Sequence, residues 1–161
     1  MNTTTQREAT IEANPTLPLI TISREFDATP DRVFRAHTDV DLISRWLGPE
    51  STEMRMDRWD AVTGGSYRYV AISEGREDAF YGSFHEVRQD ERIVWTFTWE
   101  GMPDGVALET LVFEDLGDGR TRLTTTSVID SLEARDAIMS SGMEVGVHEG
   151  YAKLDALLAA R

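Results

Sequence analysis

From Met54 to Ile129 the chain is a succession of alternating segments separated by short turns, and a single long amphipathic segment follows. Alternation of apolar and polar residues marks half-buried strands, and short turns between them permit only antiparallel pairing of neighbours. Met54 and Met56 alternate with charged residues. Gly64-Gly65 turns into Tyr67 and Tyr69, and Glu74-Gly75 into the segment from Phe80 to Val87 that carries Phe84. Gln89-Asp90 turns into Ile93 to Trp99, where Ile93, Trp95, Phe97 and Trp99 share one face. Met102 to Gly105 leads into Leu108 to Phe113, and Gly117-Asp118-Gly119 makes a hairpin into Thr121 to Ile129. A sheet of this length twists and curls, so one long helix is enough to cover its inner face.

The flanks fit that plan. Leu19 to Phe26 alternates with Ile20, Ile22 and Phe26 on one face. Thr29-Pro30 opens a helix, with Thr29 as N-cap and Pro30 at its first position. Val33, Phe34 and His37 keep helical spacing. Asp39 or Asp41 caps a second short helix through Trp46, and Gly48-Pro49 ends it. At the other end, Asp130 with Glu133 and Ser141 with Glu144 read as two capping boxes, which interrupts the helix near Ser140 to Gly142. The part from Gly142 to about Ala160 spans roughly 28 Å at 1.5 Å per residue. Its apolar stripe is Met143, Val147, Tyr151, Leu154 and Leu158.

Composition narrows the function. A chain of 161 residues with 40% hydrophobic residues suits one domain, which the pattern bounds at residues 19–161. Residues 1–18, with threonines and prolines in no period, read as a flexible arm. The formal net charge is −13. Nucleic acid and anionic membrane demand a basic surface, so neither is an expected partner. No apolar run approaches the roughly 20 residues of a membrane span. The absence of cysteine excludes disulfides and thiolate metal sites, and with no apolar leader the cytoplasm is the expected address.

Several short pieces, in one order, resemble a known superfamily. They are Phe26-Asp27-Ala28-Thr29-Pro30 with Val33-Phe34 and Ala36; Trp46-Leu47-Gly48-Pro49; Gly64-Gly65-Ser66-Tyr67-Arg68; Gly82-Ser83-Phe84-His85-Glu86-Val87; Gly119-Arg120-Thr121-Arg122-Leu123; and Glu133 to Ala137, Ser141 to Glu144, Gly150-Tyr151 and Leu154-Asp155. Together they resemble the START-like or Bet v 1-like (SRPBCC) superfamily, and more narrowly bacterial proteins related to the C-terminal domain of the Hsp90 ATPase activator. The resemblance implies an α+β helix-grip fold: a curved antiparallel sheet of about seven strands wrapped around a long C-terminal helix, with two short helices after the first strand. It implies little about activity, because lipid binders, receptors, cyclases and hydrolases share this scaffold.

The catalytic signatures are missing. There is no Gly-x-Ser-x-Gly elbow, no phosphate-binding glycine loop and no His-Glu-x-x-His, so no catalytic residue, metal or cofactor is expected. What remains is an inward-facing set that lines a cavity between sheet and helix: Phe34, Trp46, Met54, Met56, Tyr67, Tyr69, Phe84, Trp95, Phe97, Leu111, Phe113, Met143, Val147 and Tyr151. Arg24 and Glu109 share strand parity with apolar neighbours and point inward, either as a structural pair or as polar anchors for a ligand. His37 is a third candidate anchor. Gly142, Gly146 and Gly150 lie on one helix face, which reads as close packing of the helix on the sheet or as a pocket wall free of side chains.

The expected function is therefore non-catalytic binding of a small hydrophobic or aromatic molecule. Two alternatives stand beside it. One is an Hsp90-type chaperone-associated interaction module, although residues 1–18 are too few for the separate N-terminal domain of the full activator. The other is a cyclase or hydrolase acting on a hydrophobic substrate. Open sheet edges leave room for a homodimer.

Overall fold

The computed structural model describes residues 8–160. Eight strands form one antiparallel sheet: β1 (Thr10–Ala13), β2 (Leu19–Phe26), β3 (Glu53–Trp59), β4 (Ser66–Ser73), β5 (Arg76–Arg88), β6 (Arg92–Trp99), β7 (Ala107–Gly117) and β8 (Arg120–Val128). Their spatial order is β1-β2-β8-β7-β6-β5-β4-β3. Helices α1 (Pro30–Thr38) and α2 (Val40–Trp46) follow β2, and α3 (Leu132–Met139) and α4 (Met143–Ala159) end the chain. This is the expected α+β helix-grip arrangement, with one more strand than the pattern suggested. Among the described residues no helix is long and apolar enough to cross a membrane.

The extra strand, Thr10–Ala13, lies within the segment read from the sequence as an arm. Thr10 to Ala13 pair with Ser23 to Ile20 along the sheet edge. The turn that follows is held from both sides. The Asn14 side chain accepts from the Thr16 and Leu17 amides at 3.0 and 2.9 Å. From α3, Arg135 donates to the Asn14 and Leu17 carbonyls. Residues 1–7 lie outside the described residues.

Local capping differs from the sequence pattern in three places. Thr29 is the N-cap of α1, but its side chain makes no capping hydrogen bond, and Pro30 alone sets the start. Ser131, not Asp130, caps α3, accepting from the Ala134 amide at 3.1 Å. Gly142 begins α4 at φ 83°, a left-handed conformation that glycine adopts without steric penalty, while Ser141 turns back to donate to the Ile138 carbonyl. Asp39 caps α2 as expected, accepting from the Asp41 amide at 2.9 Å.

Register lays the inner face out in rows. Arg24, Leu123 and Phe113 are opposite one another, then Ile22, Thr125, Leu111 and Ile93, then Ile20, Ser127, Glu109, Trp95 and Phe84. A bulge between Met56 and Arg58 and another between Phe84 and Glu86 bend the far strands. The outer face of those strands is charged: Arg68 pairs with Asp57 and, at 2.7 Å, with Glu100.

Two clusters close on the inner face. The larger packs Phe26, Val33, Phe34, Ile43, Trp46, Phe113, Leu123, Leu154 and Leu158 between the sheet and α1, α2 and α4. The smaller packs Ile20, Ala107 and Ile129 with Ile138, Met139 and Met143 near α3. Phe97 touches both.

Candidate functional site

The larger cluster holds its polar atoms internally. His37 is 2% exposed, its Nδ1 donates to the Val33 carbonyl at 2.8 Å, and its ring meets Trp46 and Phe113 edge-on. Desolvation lowers its pKa to about 4 despite that hydrogen bond. The Trp46 indole donates to the Ala36 carbonyl at 2.9 Å. His37 is thus buried, hydrogen-bonded within its own helix and held neutral.

Arg24 is also engaged. Its fork takes both Asp155 oxygens at 2.6 Å, and its guanidinium lies 4.6 Å from the Phe26 ring centre. Of the two readings open to Arg24, the geometry carries the structural pair, but its partner is on α4 and not Glu109. The pair ties the helix to β2 across the sheet edge.

Glu109 is different. It faces inward from β7 between Trp95 and Ser127, and it is only partly buried. The Trp95 indole donates to its Oε1 at 2.8 Å, and the Ser127 hydroxyl also binds the carboxyl. Desolvation raises the carboxyl's pKa more than these two donors lower it. Among the described residues no basic side chain pairs with it. Its charge is felt by three tyrosines. Burial first, then Glu109, holds Tyr69 above the usual phenol range, and Tyr67 likewise with a contribution from Tyr69. Tyr151 is pushed up to about 12, again mainly by burial, although a Thr125 hydrogen bond opposes the shift.

Around Glu109 the cavity-lining set separates into two groups. Phe34, Trp46, Tyr67, Tyr69, Phe84, Leu111 and Phe113 are buried. Met54, Met56, Trp95, Phe97, Met143, Val147 and Tyr151 keep partial exposure, although all of these but Val147 pack against one of the two clusters. Partial exposure on the inner face thus recurs at Trp95, Phe97 and Glu109 on the sheet and at Met143 and Tyr151 on α4.

Two of the aromatic polar groups are satisfied within the protein, the Trp46 indole by Ala36 and the Tyr67 hydroxyl by Thr96. Tyr67 gives its hydroxyl hydrogen to the Thr96 carbonyl at 2.5 Å, over Gly82, where a Cβ would sit 1.9 Å from that carbonyl oxygen. The glycines of α4 serve neither the sheet nor a pocket wall. A Cβ on Gly150 would lie 3.1 Å from the Trp46 carbonyl oxygen, and one on Gly146 3.6 Å from Pro49. They let α4 approach α2 and the turn after it.

Four participants escaped the sequence pattern. Trp59 packs at tilted and edge-on angles among Tyr67, Phe84 and Trp95, but the β3 bulge puts it on the face of Met56 despite opposite parity. Asp155 lies 131 residues from Arg24 in the chain. Thr125 and Ser127 share parity with Leu123 on β8, a visible signal that strand polarity masked. A separate depression, lined by Asp27, Ala28, Thr29, Arg32, Asp118 and Gly119, lies where β2 meets α1 and includes none of the aromatic set.

Solved structures share this architecture. A protein of Rhodobacter sphaeroides has 28% identity and a TM-score of 0.85, with 94% of this chain and 98% of that one covered. A protein of Chromobacterium violaceum has 27% identity and a TM-score of 0.77 over 89% and 99% of the two chains. The protein Ms6760 of Mycobacterium smegmatis, at 24% identity, has the same fold, with a TM-score of 0.85 over 95% and 98%. No curated protein matches the sequence. The family described as activator of Hsp90 ATPase homolog 1-like protein matches residues 27–159, and the chain belongs to that family.

Proposed function

We propose that this protein binds a small hydrophobic or aromatic molecule in a recess between the sheet and α4, without transforming it. The observation that carries this reading is the partial exposure of Glu109 and Trp95, side by side on an inner face that is otherwise packed into two clusters. Apolar walls with one or two fixed polar groups are the usual chemistry of a small-molecule site. Glu109, held by the Trp95 indole, supplies such a group.

The test is an NMR titration with a neutral aromatic probe, naphthylmethanol, followed through the tryptophan indole N–H resonances. Trp95 shifts on binding and Trp46, locked on Ala36, does not. A titration that moves neither resonance, or both equally, contradicts the reading.

A second reading follows from the family itself, whose name refers to activation of the Hsp90 ATPase. In that case the protein docks on a chaperone. Stimulation of Hsp90 ATP turnover by the purified protein supports it, and an unchanged rate removes it.

A further inference from the structure

We propose that the molecule taken up by the recess carries one protonated nitrogen, set against the Glu109 carboxylate and among the rings around it. This rests on the reading of the recess as a ligand site and says which chemistry that site selects.

Three observations converge. First, Glu109 is an inward carboxyl with donors from Trp95 and Ser127 and, among the described residues, no cationic partner. A carboxylate in an apolar site lacks charge compensation, and a ligand ammonium supplies it through a charge-assisted hydrogen bond. Second, the groups around it are aromatic: Trp95, which turns its indole N–H to the carboxyl, its strand neighbour Phe97, Tyr151 from α4, and Tyr67 and Tyr69, the three tyrosines all close enough to respond to its charge. Ring faces attract cations. Third, the chain carries a net charge of −13, so its long-range field draws cations and repels anions.

An acidic ligand finds no counterpart. The buried basic side chains among the described residues are Arg24, His37 and Arg135. Arg24 is engaged by Asp155, His37 by the Val33 carbonyl, and Arg135 by the carbonyls of the β1–β2 turn. A fatty-acid carboxylate would meet Glu109 instead. The upward shift of the Glu109 carboxyl by desolvation agrees with an uncompensated site, since a bound cation relieves the same penalty.

The test uses three probes of one shape on the full chain: naphthylmethylamine, naphthylmethanol and naphthoate, each titrated by calorimetry. The amine binds at least ~10-fold more tightly than the alcohol, in line with a hydrogen bond to a charged group, and naphthoate binds weakest. In Glu109→Gln the amine and alcohol converge. Equal binding of all three leaves the hydrophobic recess standing and overturns the cation. Binding of none overturns both. An amine preference that survives in Glu109→Gln also overturns the assignment. The comparison on the unaltered protein needs no variant, so the outcome does not depend on how Glu109→Gln folds.

Discussion

At the α1–α2 end of the inner face, His37 donates to Val33, Trp46 to Ala36, and the rings of Phe34, Phe113 and Trp46 touch one another or His37 edge-on. Two rows further along the same sheet, Trp95 donates to a carboxylate, and both side chains remain partly exposed. The strands are common to both ends, so the sheet does not make the difference. The helices do. Three of them, α1, α2 and α4, pack on the first end, whereas of the α4 residues only Tyr151 is tied to Glu109, through its charge. The break at Gly142 separates α3, which joins the smaller cluster, from α4, which begins in that cluster at Met143 and continues into the larger one at Tyr151, Leu154 and Leu158.

Truncation breaks this comparison most strongly. Phe113→Ala removes a buried ring from the closed end and is expected to lower unfolding free energy by about 4 kcal/mol. Phe97→Ala, on the recess floor, is expected to lose only about 2 kcal/mol because part of that ring is already exposed. Urea denaturation of both variants measures the difference, and equal losses erase the distinction.

Asp155→Ala comes next. It leaves the Arg24 guanidinium buried without its bidentate partner and is expected to destabilise by about 3 kcal/mol in the same assay. Restoring the carboxylate one methylene longer, in Asp155→Glu, should recover part of that loss.

The two titratable groups respond oppositely to pH. His37 has a folded pKa near 4, below its unfolded value of 6.5. The unfolded chain therefore binds the proton first, and stability falls by about 3 kcal/mol as pH drops from 6.5 to 4. Denaturation curves across that window show the loss, and His37→Phe flattens it. Glu109 has a raised folded pKa, so its contribution is present below the unfolded carboxyl value and is lost as pH rises through the folded one. Glu109→Gln is accordingly the smallest effect and a stabilising one, about 1 kcal/mol at neutral pH, as expected where function keeps an unfavourable group.

How much of this was legible depends on range. The alternation from Met54 onward, with glycine turns between, specified the sheet because each signal lies within a few residues. The inward direction of Glu109 followed from parity with Leu111, a local property of β7. The partner of Arg24 did not follow, since nothing near Arg24 points to Asp155 on the last helix. Strand β1 was invisible for a similar reason: its short alternation is weak, and Arg135 of α3 holds the turn after it. Trp59 was lost to a bulge, which shifts parity by one residue without a mark in the sequence. Which side chains stayed partly exposed was not legible either, because exposure there depends on the path of α4, set by the close approach of Gly150 to Trp46.

Hydrogen exchange at the tryptophan indoles tests the contrast between the two ends most directly. With no ligand present, the Trp95 indole hydrogen should exchange at least ~10-fold faster than that of Trp46, since solvent reaches one hydrogen bond without opening the core and not the other. Equal protection of the two would mean that the inner face is closed throughout, and the recess would not exist.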